Sequence, residues 1–169
     1  MNEPGFVCSS TGMAEMLANE YGYGYRENLS ESDYSDIVNS LKPGDIVSIG
    51  GHVYMVVGVC GDGSVVIIHS AVTPSVTGEE AGGVQLSAIS INGTYDTDCE
   101  AYSLACEYTA NYPEWESRYP VVMENPAIYF NFTNQDTGIF HWSIDENGLN
   151  DPENIIEMDA RDVLERIFG

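Results

Sequence analysis

Cys8, His52 and His69 are the residues of this chain whose types and order suit covalent chemistry. The chain carries three histidines and four cysteines: Cys8, Cys60, Cys99 and Cys106. Two of the histidines bracket one apolar stretch, GGHVYMVVGVCGDGSVVIIHSA, residues 50–71. A thiol becomes a working nucleophile when an imidazole takes its proton and a third polar group orients that imidazole. Cys8 opens a predicted helix, where the dipole and free N–H groups lower a thiol pKa. The same N–H groups could serve as an oxyanion hole. The rival chemistry is a Cys/His/His metal site, which lacks an obvious fourth ligand.

Positioning this set requires particular elements. CSSTGMAEMLANE, residues 8–20, reads as a helix with Met13, Met16 and Leu17 on one face. YGYGYREN reads as a loop. Residues 30–41 read as a second helix, capped by Ser30, with Tyr34, Ile37, Val38 and Leu41 as its stripe. Lys42-Pro43-Gly44-Asp45 is a turn signal, and a short strand follows at Ile46–Ile49. His52–Val59 and Ser64–Ala71 flank Gly61-Asp62-Gly63 and predict a hairpin.

Two registers are open for that hairpin. If Val59 faces Ser64, His69 lies opposite Tyr54 and diagonal to His52, roughly 7–8 Å away at the backbone. A tighter turn at Asp62-Gly63 puts His69 opposite Val56. Alternation of strand side chains puts both histidines on one face either way.

Further on, Gly83–Ile91 reads as a strand and Asp98–Ala110 as a helix. Residues 112–127 read as irregular. Ala127–Phe132 and Gly138–Ile144 read as an aromatic hairpin, with His141 on an ordinary strand. Asp159 caps a last helix with Val163, Leu164 and Ile167 inward. The order gives one α+β domain without internal repeats.

The 169 residues suffice for a domain with a core, and 43% hydrophobic content is that of a globular chain. The net charge is −22, and the only lysine is Lys42. Such a surface repels phosphate backbones and anionic membranes, so neither nucleic acid nor a membrane is an expected partner. No run of about eighteen apolar residues predicts a transmembrane helix. MNEPGFVCSS has neither the basic nor the apolar region of a signal peptide, which is compatible with a mature or excised piece of a secreted protein. No C-x-x-C pair occurs. With Cys8 free, at most one disulfide joins the other three cysteines.

The runs GFVCSS, LKPGDIV, GHVYMVVGV, VVIIHSA and GGVQLS, in this order over about residues 5–92, resemble the NlpC/P60 cysteine peptidases. Those are papain-like hydrolases of bacterial cell-wall peptides. The resemblance implies an N-terminal catalytic helix packed on an antiparallel sheet, with residues 93–169 as a C-terminal extension. It implies Cys8 as nucleophile, His52 as general base and acid, and His69 as the orienting third residue. Ser9 matches the family pattern and is implied on the substrate side. No cofactor or metal is implied, and the setting is secreted or wall-associated.

Val7 stands where the family has an acidic residue, and Ser10 where it has Gly. In members acting on peptides with a free N-terminal alanine that acid helps hold the amine. Two alternatives remain: a binding-only domain of the same fold, or an amidase or acyltransferase with another substrate. Outside the motif, DENGLNDPE at 145–153 carries oxygen ligands at short spacing but lacks EF-hand positions, and reads as an Asx-rich turn.

Overall fold

The computed structural model describes residues 8–71, 83–92, 96–145 and 149–169. Its framework is a mixed seven-stranded sheet in the order β1-β7-β2-β3-β4-β5-β6. The strands are β1 (Gly24–Glu27), β2 (Ile46–Ile49), β3 (His52–Val59), β4 (Val65–Ala71), β5 (Gly83–Ile89), β6 (Val122–Glu124) and β7 (Gly138–Trp142). Neighbours pair antiparallel except β5 and β6, which are parallel. The described α-helices are α1 (Met13–Asn19), α2 (Tyr34–Ser40), α3 (Glu100–Thr109), α4 (Pro113–Arg118), α5 (Pro126–Tyr129) and α6 (Ala160–Phe168). The fold is therefore α+β. Residues beyond 92 supply β6 at one edge and β7 inside the sheet, between β1 and β2.

Alternation of side chains splits the core in two. One face carries Val47, Ile49, Tyr54, Val56, Ile67 and Ile89, packed with Ile37, Val38 and Leu41 of α2 and with Phe130 and Phe132. The other carries Val57, Val66, Leu86 and Ala88, packed with Leu104 and Ala105 of α3 and Val163 and Leu164 of α6. Asp159 caps α6 by accepting from Asp162 N, as the sequence predicts. Ile167, expected inward, is 63% exposed, because the buried stripe of α6 is Ala160, Val163 and Leu164.

The register of the central hairpin follows from a bulge and from a turn held by α3. Val59 pairs with Val65, and a bulge between Val56 and Gly58 then shifts the pairing so that Tyr54 meets His69. The turn is fastened to α3. Asp62 accepts from Ser64 N and Glu100 N, Glu100 accepts from Gly61 N, and Ala101 N donates to Ser64 Oγ. Cys99, the N-cap residue of α3, makes no side-chain cap of its own, so the turn supplies it.

Several elements depart from expectation. The first helix spans 13–19 rather than 8–20. Gly12 N donates to both Ser9 O and Ser9 Oγ, so Ser9-Ser10-Thr11-Gly12 forms a local turn. Short hydroxyl side chains compete with helical bonds in this way. The cap of α2 is Asp33, accepting from Asp36 N, not Ser30. YGYGYREN contains β1, and residues 112–127 contain α4 and β6. The segment 127–132 is no strand: Asn125 accepts from Ala127 N and Pro126 starts a single helical turn, α5. The aromatic hairpin is absent because β7 pairs with β1 and β2 instead.

Candidate functional site

His52 begins β3 after the Gly50-Gly51 turn, and His69 lies near the end of β4. Because Tyr54 pairs with His69, the two histidines are diagonal neighbours on the face of Val47 and Ile49. Their rings meet edge to face, with centroids 4.9 Å apart. His52 Nε2 lies 2.7 Å from His69 Nδ1, so one of them donates to the other. The far nitrogen of His69 faces Ser87 Oγ at 2.9 Å, and Gln85 Nε2 donates to that same oxygen at 3.1 Å. Glu124 Oε1 of β6 lies 3.6 Å from His69 Nε2.

Tyr129 of α5 closes the site from above. Its ring sits edge-on to both imidazoles, 5.7 Å from His52 and 5.9 Å from His69. Its carbonyl accepts from Tyr54 Oη at 2.8 Å, and its phenol oxygen lies 3.5 Å from His69 Nδ1. His69 is 4% exposed and His52 half-buried.

Burial sets the charges. It pushes His69 down to about 4, helped by the neighbouring His52 charge, and it lowers His52 as well. It also lifts Glu124, outweighing the nearby Tyr129 phenol, which works the other way. At neutral pH both rings are neutral, joined by one shared proton. Among the described residues nothing is hydrogen-bonded to His52 Nδ1. A neutral imidazole with a free ring nitrogen, backed by a second imidazole, can take a proton from a substrate or nucleophile and return it.

Cys8 lies elsewhere. It precedes α1 by a turn, and its Sγ contacts Met13 Sδ at 3.7 Å. Around it a cavity is lined by Ser9, Glu15, Met16, Asn19 and Asp136. The expected placement of Cys8 at a helix N-terminus is therefore corrected. Helix α1 also sits on the other face of the sheet. Ala14 N donates to Ser48 Oγ at 2.9 Å, and Glu15 pairs with Arg26 at 2.8 Å. Ser48 alternates with Val47 and Ile49, whose strand partners are Tyr54 and His52. The structure thus brings His52 and His69 together and leaves Cys8 apart from them. Ser9 bonds Thr11 Oγ1 and Gly12 N within its own turn.

His141 is more than a strand residue. Buried on β7, it places Nδ1 3.0 Å from Asp45 Oδ2 and Nε2 3.3 Å from Glu27 Oε2. Burial pulls its pKa down, but the two carboxylates outweigh it and raise it. Asp45 also accepts from Lys42 N at 2.7 Å, so the aspartate of the KPGD turn ties the turn to β7. Gly44, at φ 88°, supplies the left-handed residue of that turn. All four cysteines are free, and the described residues contain no cluster suited to a metal ion. Of the 145–153 segment, residues 146–148 lie outside the described set; Asp151 accepts from Ile155 N and Ile156 N, four and five residues on, at the start of the short 3-10 helix Ile155–Glu157 rather than in an Asx turn.

Sequence reasoning missed Ser87, Gln85, Glu124 and Tyr129. Parity could have found Gln85 and Ser87, since β5 continues the sheet beside His69. Nothing local marks Glu124 or Tyr129, which arrive through a parallel pairing and a one-turn helix. No family model matches the chain, and neither a curated protein nor a solved structure does. Among the described residues no helix is long and apolar enough to cross a membrane.

Proposed function

We propose that this chain is a papain-like cysteine hydrolase of NlpC/P60 type that cleaves an amide bond in bacterial cell-wall peptides, in a secreted or wall-associated setting. The hydrogen bond between His52 Nε2 and His69 Nδ1 carries the reading. It leaves His52 Nδ1 as general base and makes His69 the residue that orients it. Cys8 attacks the carbonyl and forms an acyl-enzyme, His52 gives the proton to the leaving amine, and the same nitrogen then activates water.

On this reading residues 8–12 must rearrange for Sγ to reach His52. The five residues from Cys8 to Met13 extend to at most about 17 Å. Ala14 hangs from Ser48, which pairs with Val53 next to His52, so α1 starts at the same end of the sheet as the histidines.

The placement of α1 on the opposite face, with Cys8 against Met13, favours a second reading, a domain that binds wall peptides without cutting them. Muropeptide turnover separates the two. The hydrolase releases a new amine and carboxylate, and alkylation of Cys8 or Cys8→Ala stops release. A binding domain retains muropeptide affinity with no product, whether or not the thiol is blocked.

A further inference from the structure

The C-terminal half places two groups at the histidine pair that no sequence motif announces. We propose that Glu124 and Tyr129 are positioning residues that hold His69 in the tautomer with its proton on Nε2, leaving Nδ1 to accept from His52. This deepens the reading of the pair as an acid–base unit and rests on it for its functional meaning.

The need for such a device follows from counting protons. One proton lies in the 2.7 Å contact between the rings. If His52 Nε2 carries it, His52 Nδ1 is free to act as base. If His69 Nδ1 carries it, neutral His52 holds its own proton on Nδ1 and cannot accept another there. Ser87 does not decide between these states. Its oxygen already accepts from Gln85, and a hydroxyl can still either donate to His69 Nε2 or accept from it. An ionised carboxylate can only accept. In its ionised form Glu124, with Oε1 3.6 Å from His69 Nε2, favours a proton on that nitrogen.

Tyr129 sets its ring edge-on to both imidazole planes. The phenol oxygen is also 3.5 Å from His69 Nδ1, a longer approach than His52 makes. The groups facing His69 are thus His52 and Tyr54 from β3, Gln85 and Ser87 from β5, Glu124 from β6 and Tyr129 from α5. Glu124 is the carboxylate among them.

Two-bond 1H–15N correlation spectra read imidazole tautomers without any need for activity. At neutral pH the wild-type protein should show His52 and His69 each protonated on Nε2. Glu124→Gln keeps the side-chain shape and removes the charge; it should give a resolvable Nδ1–H population at His69. Tyr129→Phe should move His69 the same way by a smaller amount. The separate His141 signals should stay put in both variants and report an intact fold. Wild-type His69 protonated on Nδ1, or a tautomer unmoved by Glu124→Gln, overturns the proposal. Absent hydrolysis with the expected tautomers refutes the hydrolase reading alone, and hydrolysis with unmoved tautomers refutes the positioning role alone.

Discussion

His69 makes stability depend on pH in a way that can be isolated. Its pKa is about 4 in the folded chain against 6.5 for a free imidazole. As pH falls through 6.5, the unfolded chain binds a proton that the folded chain refuses. Stability is therefore lost on acidification, from about pH 6.5 down to the folded value of about 4. The full difference corresponds to about 3 kcal/mol, of which about 2 kcal/mol falls between pH 7 and 5. Working above pH 5 also keeps the protein clear of its pI near 4.1, where association is favoured. Other groups titrate nearby. The lowered pKa of His52 acts in the same sense. His141, raised above its free value, acts in the opposite sense: its contribution is present below 6.5 and lost as pH rises through its folded pKa. The informative quantity is thus a difference. Urea unfolding of wild type and His69→Asn at pH 7, 6 and 5 should show the wild type losing about 2 kcal/mol more than the variant. A loss of packing shifts the variant by a constant at every pH, whereas the titration changes its slope. Parallel curves for the two proteins would refute the reasoning, because His69 would then titrate alike folded and unfolded.

Other outcomes follow from burial and close approach. In the native protein a thiol reagent should label the partly exposed Cys8 and Cys106 well before the buried Cys60 and Cys99, and burial pushes the Cys60 thiol up to about 12; equal labelling of all four, read by mass spectrometry, contradicts the packing described. Gly58→Ala would set a Cβ 2.7 Å from Ala160 Cα and should cost about 1–3 kcal/mol in urea unfolding, while an unchanged midpoint would show that α6 does not press on the bulge. Asp62→Ala removes the acceptor for Ser64 N and Glu100 N and should cost on the order of 1–2 kcal/mol, with hydrogen exchange rising first at the start of α3.

The histidine pair was legible in the sequence because strand parity is robust. His52 and His69 share a face in either register, and only the diagonal distance depended on the turn. What fixed that turn was not local. Asp62 and Ser64 cap α3, more than thirty residues on, and the bulge at Val57 absorbs the mismatch between the turn and the strand pairing. Residues 127–132 misled because apolar and aromatic content cannot tell a short strand from a helical turn begun by Asn125 and Pro126. Residues 8–12 misled for a related reason. The stripe of Met13, Met16 and Leu17 is real, but the Ser-Ser-Thr-Gly run in front of it bonds to itself. Glu124 and Tyr129 had no signature, since their role comes from where β6 pairs with β5.

The central claim is that His52 serves as the general base of an amide-cleaving site. Its most direct test is product analysis by mass spectrometry on muropeptides incubated with wild type and with His52→Ala. Wild type should release a matched amine and carboxylate, and His52→Ala should do so at least about 100-fold more slowly. Equal rates for the two proteins, or no product from a folded wild type, would contradict the claim.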